Sequence, residues 1–105
     1  MAQEPQELAA SEWGTITYHP QWNALELKWG PQTRSMSDDG FKETLQLLAD
    51  QGQKVRPKSM IIDATEFFHT LGEGTLAWRG EHIVPLYNQA GVQRMHAWLA
   101  SGGAI

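Results

Sequence analysis

The segment Ala24-Leu-Glu-Leu-Lys-Trp29 alternates strictly between apolar and polar side chains. A period of two predicts a β-strand with one buried face. The preceding segment, Trp13-Gly-Thr-Ile-Thr-Tyr18, is rich in β-branched and aromatic residues, which also favour a strand. Residues 19–23 between them carry turn chemistry, including Pro20 and Asn23. The two segments therefore predict an antiparallel β-hairpin.

A helix and a buried strand are predicted next. Ser37 precedes two aspartates, which is typical of a helix N-cap followed by an acidic first turn. Apolar residues at i, i+4 and i+7, from Phe41 to Leu48, form one stripe, and Gly52 is expected to end the helix. The short apolar run Met60-Ile-Ile62 predicts a central strand that is parallel to a neighbour and covered on both faces.

The remaining pattern completes an α/β domain. Residues 75–89 have a helical pattern, in which Pro85 predicts a kink or a break, and Gly91 ends the helix. Residues 92–99 are the last predicted strand, and residues 101–105 are expected to be a loose end. The order β-β-α-β-α-β predicts a four-stranded mixed sheet, mostly parallel, with an antiparallel edge strand and helices packed on it.

Length and composition narrow the class of protein. The chain has 105 residues, enough for one domain, which we assign to residues 12–105 after a flexible N-terminal arm of residues 1–11. It contains no cysteine, which excludes disulfides and thiolate metal sites and favours a cytoplasmic location. The net charge is −4 and the basic residues are scattered, so a nucleic-acid partner is not expected. No apolar run approaches the ~20 residues of a membrane span.

Three segments together resemble the SpoIIAA-like family, whose members are relatives of the STAS domains of anti-anti-sigma factors. They are residues 23–29, the segment Met60-Ile-Ile-Asp-Ala64, and residues 78–92. The last is similar to the family's second helix, with its internal proline and closing Ala-Gly-Val. The resemblance covers residues 13–100 and implies a STAS-like fold and a regulatory or binding module, with a protein partner or a hydrophobic small molecule and no cofactor. Members usually continue with a further helix, so a chain that ends at Ile105 is expected to be a trimmed or a short member.

The resemblance also raises the question of a phosphorylation switch. Sigma-regulating members carry a serine at the start of the helix after the central strand, and its phosphorylation breaks a protein interface. The matching residues 66–75 contain no serine, and their hydroxyl groups belong to Thr70 and Thr75. We therefore expect no regulatory phosphorylation in this loop.

Polar candidates for chemistry lie after the central strand. Ligands of open α/β sheets gather outside the carboxyl ends of strands, and Asp63 ends this strand. Together with Glu66, His69 and Glu73 it could line a crevice as an acid, a base or a cation ligand. The alternative is an aspartate that caps a loop. The spacing of the histidines matches no metal motif, so no metal site is expected.

Aromatic candidates for binding lie in the same region. Trp78 and His82 are i, i+4 neighbours, so their rings can stack on one helix face. Phe67 and Phe68 are adjacent and cannot both point inward easily, so two interpretations stay open: both pack in the core, or one faces a pocket or a partner. The predicted ligand- or partner-binding residues are Phe67, Phe68, His69, Trp78 and His82.

Three functions remain open at this point. The first is a non-enzymatic binding module that uses the 66–75 loop and the second helix. The second is a small cofactor-independent enzyme or ligand carrier with a crevice between that helix and the sheet, whose catalytic candidates are His69, His82, Asp63 and Glu66. The third is a self-associating domain that forms a homodimer. An enclosed cavity would favour a ligand, and a flat apolar patch would favour a protein partner.

Overall fold

A computed structural model of the chain describes residues 4–99, with the side chain of Leu99 left aside. The predicted loose end at residues 101–105 and the first three residues of the predicted arm lie outside this range. The strands are β1 Gln6–Ala10, β2 Gly14–His19, β3 Ala24–Trp29, β4 Ser59–Ala64 and β5 Arg94–Leu99; the helices are α1 Asp38–Val55, α2 Thr75–His82 and α3 Val84–Gln89, with a 3-10 helix at Pro31–Ser35.

The five strands form one mixed sheet in the order β1-β2-β3-β4-β5. The β1/β2 and β2/β3 pairs are antiparallel, whereas the β3/β4 and β4/β5 pairs are parallel. The α/β class, the hairpin and the interior position of Met60-Ile-Ile62 in β4 are thereby confirmed. The predicted count of four strands is wrong, because Gln6–Ala10, which we assigned to a flexible arm, pairs with β2 as an edge strand.

The helices pack on one face of the sheet. β3, β4 and β5 follow one another across the sheet, and right-handed crossovers that advance in one direction place their helices on the same side. Leu48 of α1 and Ile83 before α3 accordingly share one buried cluster with Leu27 and Met60. The expectation that the Met60-Ile-Ile62 strand is covered on both faces is therefore wrong, and Ile61, on the opposite face, is only half-buried.

Helix α1 begins as the sequence predicts and ends later. The Ser37 side chain accepts a hydrogen bond from the Gly40 amide at 3.2 Å, which confirms the N-cap. Gly52 does not end the helix, which continues to Val55 and is followed by Arg56 in the left-handed region, with φ 49°. Gly52 is instead buried where α1 crosses the sheet, and a Cβ there would lie 3.0 Å from Met60 Cε. The absence of a side chain at Gly52 therefore allows α1 to pack closely against Met60 of β4.

The second helical segment is broken, as Pro85 predicts. α2 ends at His82, α3 begins at Val84, and Pro85 lies in the first turn of α3. Proline fits there because the first amides of a helix have no intrahelical partner. Gly91 follows α3 with φ 86°, the left-handed geometry of a helix C-terminus. The second helical segment is therefore two short helices joined at Ile83, which is fully buried.

Candidate functional site

An apolar crevice of about 440 Å³ opens between the helix-bearing face of the sheet and the helices. The parallel strands form one side of it, with Trp29, Ile62 and Ala64 in the floor and the exposed Met95 and Ala97 of edge strand β5 at the rim. These residues share a face because strand residues alternate sides and Ile62 pairs with Ala97. The two alanines leave room that longer side chains would fill.

The walls of the crevice come from all three helices and from the loop before α2. They consist of Phe41 and Leu45 of α1, Leu76 and Arg79 of α2, Val84 and Tyr87 of α3, and Phe67 and Leu71 of the loop. At the inner end Trp29 stacks on Phe41, with ring centroids 5.6 Å apart. Phe67 meets Trp29 edge-on at 5.0 Å. Three packed rings therefore hold this end of the crevice in one shape.

The mouth of the crevice exposes large apolar side chains. Leu76, Val84 and Met95 are 47%, 37% and 49% exposed, and all three line the crevice. Most large apolar side chains of this domain are buried, so this group is an apolar patch with a concavity at its centre. The crevice volume of about 440 Å³ lies within the usual range of small-molecule sites, roughly 300–1,000 Å³.

Two polar side chains stand in this apolar lining. Among the described residues, the lining side chains with a charge or a hydroxyl group are Arg79 and Tyr87, and none is a histidine or a carboxylate. Within residues 4–99, Arg79 forms no ion pair with a carboxylate. Burial raises the pKa of the Tyr87 phenol, and the nearby Arg79 charge partly offsets that rise. The phenol therefore stays protonated and can donate a hydrogen bond.

The loop that forms one wall is tied to α1 through Asp38. The Asp38 carboxylate accepts hydrogen bonds from His69 Nε2 at 2.7 Å, from the Gly72 amide at 3.1 Å and from Thr75 Oγ1 at 3.1 Å. The His69 bond, followed by the Gly72 amide, lowers the pKa of Asp38. Thr75 is 3% exposed, so its hydroxyl is enclosed.

A second anchor holds the start of the same loop. The Phe68 amide donates a hydrogen bond to Thr33 Oγ1 at 2.8 Å, and that hydroxyl lies 3.1 Å from the Glu66 carbonyl oxygen. Thr33 itself is fully buried. The loop is thus fixed at both ends, which keeps Phe67 and Leu71 in the crevice wall.

The two adjacent phenylalanines differ in burial, so packing of both in the core is wrong and the alternative, in which one ring faces outward, holds. Phe67 is 7% exposed and belongs to the crevice, whereas Phe68 is 43% exposed. The Arg34 guanidinium lies 5.0 Å from the centre of the Phe68 ring, a cation–π contact. Of this pair, only Phe67 belongs to the concave site.

Trp78 and His82 are in contact on one helix face, as predicted, but their rings are tilted by 38° with centroids 5.5 Å apart and are not stacked. Neither residue lines the crevice. The ammonium group of Lys42 lies 5.3 Å from the Trp78 ring, so Trp78 packs between its own helix and α1. The tryptophan that does reach the crevice is Trp29.

The four catalytic candidates are not brought together in the crevice. Asp63 accepts hydrogen bonds from the amide and hydroxyl of Thr65, at 3.1 and 2.6 Å, which is the loop-capping alternative. Glu66 lines a separate cleft, His69 is bound to Asp38, and His82 is exposed at the end of α2. Across the described range, no three histidine, aspartate or glutamate side chains are placed to hold a metal ion.

Arg79 and Tyr87 were missed, although the sequence carries a signal for them. Leu76, Arg79, Ile83 and Tyr87 follow the spacing i, i+3, i+7, i+11, which places all four on one helical stripe. A cation in an otherwise apolar stripe either snorkels to water or serves a pocket. Assigning each residue of this segment to a helix face identifies Arg79 as a candidate pocket residue.

Comparison with known proteins gives no match to a protein-family model, to a curated protein or to a solved structure. No helix within residues 4–99 is long and apolar enough to cross a membrane.

Proposed function

We propose that this protein is a small STAS-like binding module, without catalytic activity, that holds a hydrophobic small molecule in the crevice between the sheet and the helices. The observation that carries the proposal is the apolar lining together with the exposed Leu76, Val84 and Met95 at its mouth. Covering apolar surface contributes about 25 cal/mol per Å². A ligand that fills the crevice gains that energy from walls that are already formed.

The shape of the apolar surface favours a small molecule over a flat protein partner. The exposed side chains of the mouth surround a concavity whose floor, at Trp29 and Ala64, is buried. A protein partner could reach that floor only with an inserted side chain, whereas an aliphatic or aromatic ligand can fill it. Association with a protein at this face remains compatible with a ligand that is bound beneath it.

The composition of the lining favours binding over catalysis. The alternative enzyme hypothesis needs a histidine or a carboxylate in the crevice, and His69, His82, Asp63 and Glu66 lie elsewhere. The resemblance to the SpoIIAA-like family supports the same choice, since it implies a binding role. The parallel β3-α1-β4 and β4-α2-α3-β5 units agree with that resemblance.

The test is a titration of the isotope-labelled full chain with decanol, an uncharged aliphatic probe, followed by proton–nitrogen correlation spectra. The five tryptophan indoles give separate signals, which single Trp-to-Phe variants assign. We expect decanol to shift the indole signal of Trp29, which lines the crevice, and to leave that of Trp22, which is 59% exposed, unchanged.

A matched pair of variants locates the binding. Ala97 and His96 are neighbours in β5, but only Ala97 lines the crevice. Ala97→Phe fills the crevice and should abolish the Trp29 shift, whereas His96→Phe should keep it. If decanol shifts only Trp22 and Trp98, or if Ala97→Phe binds decanol as tightly as the wild type, the crevice is not the site.

A further inference from the structure

Tyr87 brings a hydroxyl-bearing side chain to the lining of the crevice. The residue is only 4% exposed, and its hydroxyl makes no hydrogen bond within the described part of the chain. No fully enclosed side-chain polar atom among these residues lacks a partner, so the small exposed part of Tyr87 includes the hydroxyl. Tyr87 lines the crevice, and its hydroxyl keeps contact with solvent. A ligand that covers this hydroxyl has to replace the solvent contact, because a buried polar group without a partner is costly.

Arg79, an exposed residue of α2, adds a positive charge at the lining of the same crevice. It lies on α2, whereas Tyr87 lies on α3, and both residues line one crevice. No carboxylate in residues 4–99 pairs with the Arg79 guanidinium, although the chain carries 12 acidic residues. Burial raises the pKa of the Tyr87 phenol, and the Arg79 charge lies close enough to offset part of that rise. A guanidinium without a carboxylate partner in residues 4–99 can bind an anion beside Tyr87.

We propose that the ligand is an amphiphile with an oxyanion head group, of which a carboxylate is the simplest, bound by the Arg79 guanidinium and the Tyr87 hydroxyl. Its apolar part then lies against the aromatic end of the crevice at Trp29 and Phe67. This inference rests on the proposed function and adds the chemistry of the head group. Guanidinium and phenol are both hydrogen-bond donors, and a carboxylate offers acceptors to both.

The experiment compares three probes with the same aliphatic tail at neutral pH: decanoate, decanol and decyltrimethylammonium. Isothermal titration calorimetry gives the affinities, and the Trp29 indole signal reports the place of binding. We expect decanoate to bind roughly tenfold more tightly than decanol, the order of one charge-assisted hydrogen bond at a partly exposed site. Added salt should weaken decanoate binding and leave decanol binding unchanged.

Variants separate the head-group inference from the proposed function. Arg79→Gln and Tyr87→Phe should each reduce the preference for decanoate over decanol and keep decanol binding, whereas Arg79→Lys should retain most of the preference. Lys54→Gln removes an exposed charge outside the crevice and should leave the preference intact. If decanol and decanoate bind equally, if the cationic probe binds best, or if Arg79→Gln keeps the preference, the head-group inference is wrong. If no probe shifts the Trp29 signal, the proposed function itself fails.

Discussion

Asp38 Oδ1 lies 2.7 Å from His69 Nε2, which joins the first turn of α1 to the loop between β4 and α2. The same carboxylate accepts hydrogen bonds from the Gly72 amide and the Thr75 hydroxyl. That loop supplies Phe67 and Leu71 to the crevice wall. A carboxylate outside the crevice therefore determines the position of one of its walls.

Asp38→Asn should loosen the loop. An uncharged amide oxygen is a weaker hydrogen-bond acceptor than a carboxylate oxygen. The substitution should therefore weaken the hydrogen bonds from His69 and Gly72. Amide hydrogen exchange of Gly72 should become faster, while the exchange of buried β4 amides stays slow. Asp50→Asn is the matched control, since Asp50 lies on the same helix and accepts a hydrogen bond only from Gln46 among described side chains. Equal Gly72 exchange in the wild type and Asp38→Asn would rule out the anchor.

The same contact predicts a pH dependence with a definite sign. The hydrogen bonds from His69 and Gly72 lower the pKa of Asp38 below its ordinary value of 3.8, so folding favours the ionised carboxyl. The contribution of Asp38 to stability is therefore fully present above that ordinary value and is lost as the pH falls through the lower folded pKa. The difference in unfolding free energy between the wild type and Asp38→Asn should therefore shrink as the pH falls below 3.8. A difference that grows on acidification would contradict the assignment.

Leu27→Ala tests the register of the sheet. Leu27 is fully buried on the helix-bearing face, and its replacement should lower the free energy of unfolding by about 2–5 kcal/mol. Lys28, the next residue, is exposed on the opposite face. Lys28→Ala should change the free energy of unfolding by less than about 0.5 kcal/mol. Urea denaturation measures both. Equal effects would mean that the two side chains are not on opposite faces.

Two glycines should respond to alanine in opposite directions. Gly80 lies within α2 and a Cβ there meets nothing within 4 Å, so Gly80→Ala should stabilise the fold by about 0.5–1 kcal/mol. Gly91 has φ 86°, which an L side chain adopts at a cost, so Gly91→Ala should destabilise the fold by about 1–2 kcal/mol. Thermal unfolding of the two variants gives the comparison. A stabilising Gly91→Ala would refute the left-handed geometry after α3.

Local patterns were sufficient for most of the fold. The alternation in Ala24–Trp29 predicted β3, Ser37 predicted the start of α1, and Pro85 predicted the break between α2 and α3. Strand β1 was missed because Gln6–Ala10 contains no β-branched or aromatic residue and buries none of its side chains fully, so its stability comes from pairing with β2 at the sheet edge. Edge pairing of this kind depends on the partner strand and leaves little trace in local periodicity.

The site was harder to predict, because it depends on which face of the sheet the helices cover. Asp63 drew attention as a carboxylate at the end of a strand, yet Ile62 and Ala64 beside it point into the crevice and Asp63 does not. The sequence showed that neighbouring residues alternate. It did not show that both crossovers place their helices on one face of the sheet. That arrangement brings Ile62, Arg79 and Tyr87 to the same crevice.

Intermolecular nuclear Overhauser effects in the complex with decanol test the central claim most directly. They join protons that lie close in space, so they identify the side chains around the bound aliphatic chain. If decanol occupies the crevice, its methylene protons should show contacts with the rings of Trp29, Phe67 and Tyr87, which line it. Contacts confined to the exposed rings of Trp22 and Trp98 would contradict the account.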